Sequence, residues 1–193
     1  MPGAEASCGF LETNEILLYL NRILKQRLGL DPPIIRFVGL FIILVLALTF
    51  ILQLSWVDEN LVAPYTAFLA RISGGILQFL GVPAHAVGTT LRKESFVLEI
   101  RRGCDGLEAT FLLISACLAY PATWGSRLLG ALWGYGLIFI LNLARIVGLA
   151  LIGFGGTVES FEFFHIYISQ FAVVALTMVY WILWAGRQKT LSL

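Results

Sequence analysis

The sequence predicts an all-α polytopic membrane protein. It reads as a single membrane domain over residues 1–193, with about four transmembrane helices, an N-terminal amphipathic helix, an interfacial or re-entrant helix at 61–80 and a small surface β-hairpin near 87–101. Two observations lead there. Of the 193 residues, 59% are hydrophobic and 13% charged, and the mean hydropathy is +0.87, outside the usage of soluble domains. Apolar helical stretches then recur at 37–56, 106–120, 128–147 and 164–184. The net charge of +1 supplies no basic field for nucleic acid, so the few Lys and Arg residues serve as topology markers.

Residues 1–15 are polar and lack an apolar core, which reads as no cleaved signal peptide. Over 12–28, Ile16, Leu17, Leu20, Ile23, Leu24 and Leu28 recur at helical spacing, with Arg22, Lys25 and Arg27 elsewhere on the wheel. The segment 1–35 is thus expected as a cytoplasmic interfacial helix lying on membrane lipid. Asp31-Pro32-Pro33 stops it, and 37–56 follows as the first span. Residues 57–103 form the outer-face section. In 61–80 a helical stripe is interrupted by Arg71, Ser73, Gly74, Gly75 and Gln78, which favours lying along the interface over crossing. Phe96, Leu98 and Ile100 alternate with Val97 and Glu99, the period of a strand, and Arg92-Lys93-Glu94 is taken as the hairpin turn. The spans 106–120 and 128–147 are joined by the short turn 121–127 as an antiparallel helical pair. The stretch from Gly148 to Glu162 is read as too broken and polar to cross, and His165 opens the last span, 164–184.

This order places three reactive side chains at one end of the bundle. Cys104 stands at the mouth of the second span, Arg145 at the far end of the third, and His165 at the start of the fourth. Two crossings of opposite direction return Arg145 to the side of Cys104, and the uncrossed loop keeps His165 there. A guanidinium and a helix N-terminus beside a thiol favour the thiolate, with Arg101 and Arg102 adding positive charge and Asp105 and Glu108 opposing it. His165 would supply the acid or base that acyl transfer from an amide needs.

Each residue also has a plainer reading. Arg145 can be a snorkelling span-end residue, and His165 an interfacial histidine. Asn142, one turn from Arg145, orients it or hydrogen-bonds between helices. Asp105 and Glu108 can be a helix N-terminal charge pair, and Gly106 allows close approach of a backbone or substrate. His85 reads as solvated, Cys8 as an incidental thiol and Cys117 as core. The three cysteines include no Cys-x-x-Cys pair and no zinc-like spacing, so neither a metal nor a cofactor is expected. The same lack of paired thiols speaks against disulfide-exchange chemistry, and no inverted repeat supports a transporter. A non-catalytic membrane assembly subunit, with Arg145 paired to an acidic partner, stays as the alternative to an enzyme.

Taken in order, Gly103-Cys104-Asp105-Gly106-Leu107, Asn142-Leu143-Ala144-Arg145-Ile146 and Phe164-His165 resemble the signature of the exosortase and archaeosortase family: a cysteine followed by a small or polar residue and Gly-Leu, then Asn-x-x-Arg, then His. The likeness covers roughly residues 96–184, and the length points to a short bacterial exosortase of the H type. Asp105 stands where many members carry Ser. The resemblance implies a cysteine transpeptidase or protease at the outer face of a bacterial inner membrane, with its active site toward the periplasm. Its substrates would be exported proteins ending in a recognition motif, a transmembrane helix and a basic tail, passed to an acceptor. It implies that Cys104 attacks the scissile carbonyl, Arg145 steadies the oxyanion or orients the substrate, and His165 moves protons. The supporting residues are Asn142, Asp105, Gly106, Arg102 and Glu108. Four spans and a cytoplasmic N-terminus turn the three residues outward; a fifth span at 61–80, which positive-inside counting mildly favours, would turn them inward.

Overall fold

The computed structural model describes residues 32–94 and 96–188, so the helix expected at 12–28 and Cys8 lie outside the described residues. Helix α1 (Pro32–Leu52) opens on the two prolines rather than after them. A proline is welcome at a helix start, where its missing N–H would be unbonded anyway. The helix therefore begins and ends several residues earlier than the apolar run suggests. A short α2 (Ser55–Val57) leads through a π-helical turn, Asp58–Val62, into α3 (Ala63–Phe79). The π turn has a covalent cause: Pro64 cannot donate to the carbonyl one turn back and its ring crowds that carbonyl.

Three short strands follow, β1 (His85–Val87), β2 (Thr90–Lys93) and β3 (Phe96–Glu99), in an antiparallel sheet of order β1-β2-β3. The hairpin expected near 87–101 is present, but Lys93 pairs with Phe96, so Arg92 and Lys93 belong to the strand and the turn comes one step later, at Glu94, which takes φ 51°. The alternation in β3 holds: Phe96 and Leu98 are half-buried, while Val97 and Glu99 are exposed. His85 is exposed as expected but sits on β1.

Helix α4 (Leu107–Ala119) has 13 residues, about 20 Å of rise against a hydrocarbon core of about 30 Å. It is the central piece of the bundle, packed against α1, the long α5 (Trp124–Gly155) and α7 (Gln170–Gly186). With α6 (Val158–Phe163) and a second π-helical turn, Phe164–Ser169, the last helical run is continuous to Gly186. Among the described residues, the stretches Pro33–Leu52, Trp124–Gly155 and Glu159–Gly186 are long and apolar enough to cross a membrane.

The third span is far longer than 128–147. Helix α5 has 32 residues, about 48 Å of rise, because glycines at 148, 153 and 155 weaken a helix without ending it. Gly153 has a packing reason: a Cβ there would meet the Phe96 ring at 2.5 Å. The chain turns instead at Gly156–Thr157, where Thr157 and Ser160 form a reciprocal cap that starts α6.

The two ends of the bundle are distinct. At one, Arg127 donates to the Leu118 and Ala122 carbonyls at 2.9 Å, closing the C-terminus of α4, while Phe37 stacks on Trp181 at 6.0 Å. Arg36, Arg127 and Arg187 gather there. At the other end Arg102 reaches Asp58 at 2.6 Å and Gln53 at 3.3 Å. The chain thus leaves α1 and enters α4 on the same side, and the section carrying α3 and the sheet begins and ends there. One apolar core joins α3, the sheet and the C-terminal half of α5 through Leu69, Leu77, Leu91, Ile146 and Ala150; a smaller one joins α4 and α5 through Leu113, Cys117 and Ile138, with Tyr180 and Trp181 of α7 packed against it.

Close helix approach in that second core requires glycine. A Cβ on Gly134 would collide with Leu113 and Tyr180, whereas one on Gly136 would meet nothing within 4 Å. Gly134→Leu should lower stability by about 1–3 kcal/mol through overpacking, while Gly136→Ala should raise it by up to about 1 kcal/mol through helix propensity. Thermal unfolding in detergent reads both; equal shifts at the two positions would contradict this packing.

Candidate active site

The loop between β3 and α4 makes two left-handed turns, at Gly103 (φ 81°) and Gly106 (φ 78°), which hold Cys104 between them. A side chain at Gly106 would be strained twice, by that φ and by Asn142, whose Cγ lies 3.1 Å from where a Cβ would stand. The Cys104 N–H donates to the Arg101 carbonyl at 3.0 Å, so the backbone fixes the direction of the thiol.

Three elements then meet. Cys104 Sγ lies 3.7 Å from His165 Nε2 and 3.8 Å from Arg145 Nη2. Arg145 rises from α5 and donates through Nη1 to the Gly103 carbonyl at 3.4 Å and through Nε to Ser169 Oγ at 3.1 Å. Ser169 in turn donates to the His165 carbonyl at 2.9 Å. The guanidinium thus ties the cysteine loop to the π turn that carries the histidine. Its five N–H groups exceed the three acceptors found for them among the described residues. Phe161, one turn before His165, lies parallel to the imidazole at 5.8 Å. A π turn at a reactive histidine is a familiar way of re-aiming one side chain within a helix.

The supporting residues divide. Asn142 is 1% exposed, lies beneath the Gly106 turn, and neither its amide nitrogen nor its oxygen has a hydrogen-bond partner among the described residues. Asp105 is 2% exposed and accepts from the Leu107 N–H at 3.1 Å, so it, and not the thiol, occupies the N-terminus of α4. Burial pushes its carboxyl above the usual range despite those backbone bonds. Arg102 and Glu108 are not drawn to the sulfur. Arg102 pairs with Asp58 from an exposed position, and Glu108 is exposed on the side of α4 that faces Gln53 and Val62. Among the described residues no cluster of three or more His, Cys, Asp and Glu side chains converges as a metal would require.

The nearby cation favours the thiolate, but burial works against it. Burial raises the Cys104 pKa and outweighs the lowering by Arg145, with Asp105 adding to the rise. The raised pKa favours the thiol at neutral pH, so making a thiolate there takes a base. His165 Nε2 is the group in reach.

Sequence reasoning missed Ser169 and Phe161. Both lie four residues from His165, on its own helical face, which is the signal that would have found them. The site opens into a cleft of about 680 Å³ bounded by β3 on one side and Gly153, Gly156, Phe161 and Glu162 on the other, with Cys104 and His165 at its floor.

The model of the transmembrane exosortase family matches residues 35–183, which includes every residue named above as part of the site. No curated protein matches the chain, and no solved structure does.

A raised pKa means a smaller thiolate share at neutral pH than a free cysteine has, so alkylation of Cys104 by iodoacetamide should climb with pH to a midpoint above that of an ordinary thiol, about 8.5. Removing the cation in Arg145→Gln should move that midpoint further up. Mass spectrometry of the Cys104 peptide reads both, and a wild-type midpoint below the free thiol's would overturn the assignment.

Proposed function

Since the chain belongs to the transmembrane exosortase family, we propose that it is a membrane-embedded cysteine transpeptidase that cleaves the C-terminal sorting signal of exported proteins and transfers them to an acceptor. The observation that carries this reading is the meeting of a thiol, an imidazole and a guanidinium from three separate chain segments, with Sγ within 3.8 Å of both partners.

In the first step the Cys104 proton passes to His165 Nε2 as Sγ attacks the scissile carbonyl carbon. The carbonyl oxygen becomes an oxyanion, and the Arg145 guanidinium, 3.8 Å from the sulfur, is the donor in reach to receive it. Collapse breaks the carbon–nitrogen bond, and the proton held on His165 goes to the departing amine. The thioester then meets an acceptor amine, or water in a proteolytic turnover. His165 takes the acceptor's proton, and Cys104 leaves as a thiol. Ser169 and Phe161 are positioning residues in this scheme: Ser169 fixes the guanidinium, and Phe161 fixes the plane of the imidazole.

The substrate class is exported proteins bearing a recognition motif, a transmembrane helix and a basic tail, and the location is a bacterial inner membrane with the cysteine end toward the periplasm. Arg36, Arg127 and Arg187 at the opposite end, together with Arg22, Lys25 and Arg27 ahead of α1 in the sequence, support a cytoplasmic placement of that end. Family membership supports the substrate class.

Incubating the lipid-reconstituted protein with synthetic peptides of this tripartite design should yield an acyl adduct on Cys104, visible as an added mass on intact protein and absent in Cys104→Ala. His165→Asn should slow adduct formation by about 10²–10⁴-fold, and Arg145→Gln by about 10²–10³-fold. Processing that persists in Cys104→Ala would end the reading.

A further inference from the structure

The sheet is open beside the nucleophile. In the order β1-β2-β3, β2 occupies one edge of β3, and among the described residues no strand occupies the other. The Ile100 N–H donates to the Thr89 carbonyl at 3.0 Å, which fixes the parity of the strand. Antiparallel pairing alternates, so Phe96, Leu98 and Ile100 direct their backbone groups toward β2, while the N–H and C=O groups of Val97 and Glu99 point off the sheet. Among the described residues these are four unpaired backbone groups in a row.

That edge is also a wall of the reactive cleft. Val97 and Glu99 line the 680 Å³ space whose floor holds Cys104 and His165. A narrow gap further connects Leu98, Glu99 and Ile100 directly with Cys104, Arg145 and His165. Natural sheets blunt free edges with proline, bulges or a covering element. Here β3 contains no proline and pairs in regular register, and α6 meets the strand through Phe161 on Phe96 at 6.0 Å, with the cleft lying between it and Val97 and Glu99.

We propose that the substrate segment adjoining the scissile bond binds as a fourth, extended strand along β3, hydrogen-bonded to the backbone of Val97 and Glu99, and is thereby delivered to Cys104. The proposal rests on the acyl-transfer reading and adds to it a mode of recognition. An extended peptide is the occupant that fits, because the free groups alternate with a strand's two-residue period and lead to a sulfur that attacks a peptide carbonyl. Recognition through the backbone constrains the shape of the substrate near the cut more than its side chains. Alternate amides of that segment carry the pairing, and the amides between them do not.

The test uses the full chain in lipid nanodiscs and two probes with the same electrophile, the chloromethyl ketones of acetyl-tetra-alanine and of acetyl-alanine. With either, a bond forms between Sγ and the methylene carbon, chloride leaves, and the thiol proton passes to His165 and then to solvent. The longer probe should label Cys104 faster than the shorter one by about tenfold or more, the factor that one hydrogen bond at the upper end of its net worth supplies. N-methylation of one alanine amide should erase the advantage, whereas N-methylation of its neighbour should leave it. Val97→Pro deletes an N–H that points off the sheet, so it should keep the thermal unfolding midpoint while the ratio of the two rates falls toward unity.

An advantage that survives methylation at every position would overturn the strand pairing and leave acyl transfer standing. A Cys104 that reacts with iodoacetamide and with neither ketone would remove both. A rate ratio that depends on protein concentration, with a dimer that dissociates in Val97→Pro, would give the edge to a second copy of this chain and overturn the proposal.

Discussion

The structure depends on one half-buried cation, Arg145. It emerges from the long helix α5 and donates to three acceptors on two other segments: the Gly103 carbonyl, the Cys104 sulfur and Ser169 Oγ. A guanidinium on the interior of a long helix in an apolar bundle is expensive unless its donors find acceptors. Satisfying them here draws the cysteine loop and the histidine turn to the same point. The demand of the cation for acceptors and the convergence of the reactive groups are therefore one fact.

The surrounding fold serves that convergence at some cost to regularity. Two left-handed glycines bend the loop around Cys104, and a π turn replaces α-helix at His165. Helix α4 is kept short, so its N-terminus lies within the bundle, and Asp105, buried there, takes the α4 capping bond that the thiol forgoes. Asn142 adds a buried amide without partners among the described residues, just below the loop. Such departures from ordinary packing concentrate where chemistry is done. The opposite end is more regular: Arg127 closes the carbonyls of α4, and aromatic rings seal the gaps among α1, α4 and α7.

Much of this was legible in the sequence. The membrane class follows from composition, and family membership follows from the ordered motifs around Cys104, Arg145 and His165. Their shared end follows from counting crossings, an argument that survives errors in span boundaries. The boundaries themselves were less legible. Glycines near the end of α5 read as a break, yet Gly153 is there so that Phe96 can approach the helix, a contact between residues 57 positions apart that no local pattern announces. The three-residue strand β1 is too short to show a period. Arg102 counted as charge near the thiol, but its partner Asp58 lies 44 residues away on the other side of the loop. The protonation of Cys104 was not legible because charges can be counted in a sequence and burial cannot; the half-buried sulfur loses more from desolvation than it gains from Arg145.

The central claim is that Arg145 and His165 act on Cys104 as one unit. A double-mutant cycle tests it most directly: the rate of Cys104 alkylation by iodoacetamide in the wild type, in Arg145→Gln, in His165→Asn and in the double variant, all at one pH. A coupled unit gives a double variant that departs from the product of the single effects by about fivefold or more, equivalent to about 1 kcal/mol. Effects that simply multiply, within about 0.5 kcal/mol, would mean that the two residues touch the sulfur independently and would contradict the account.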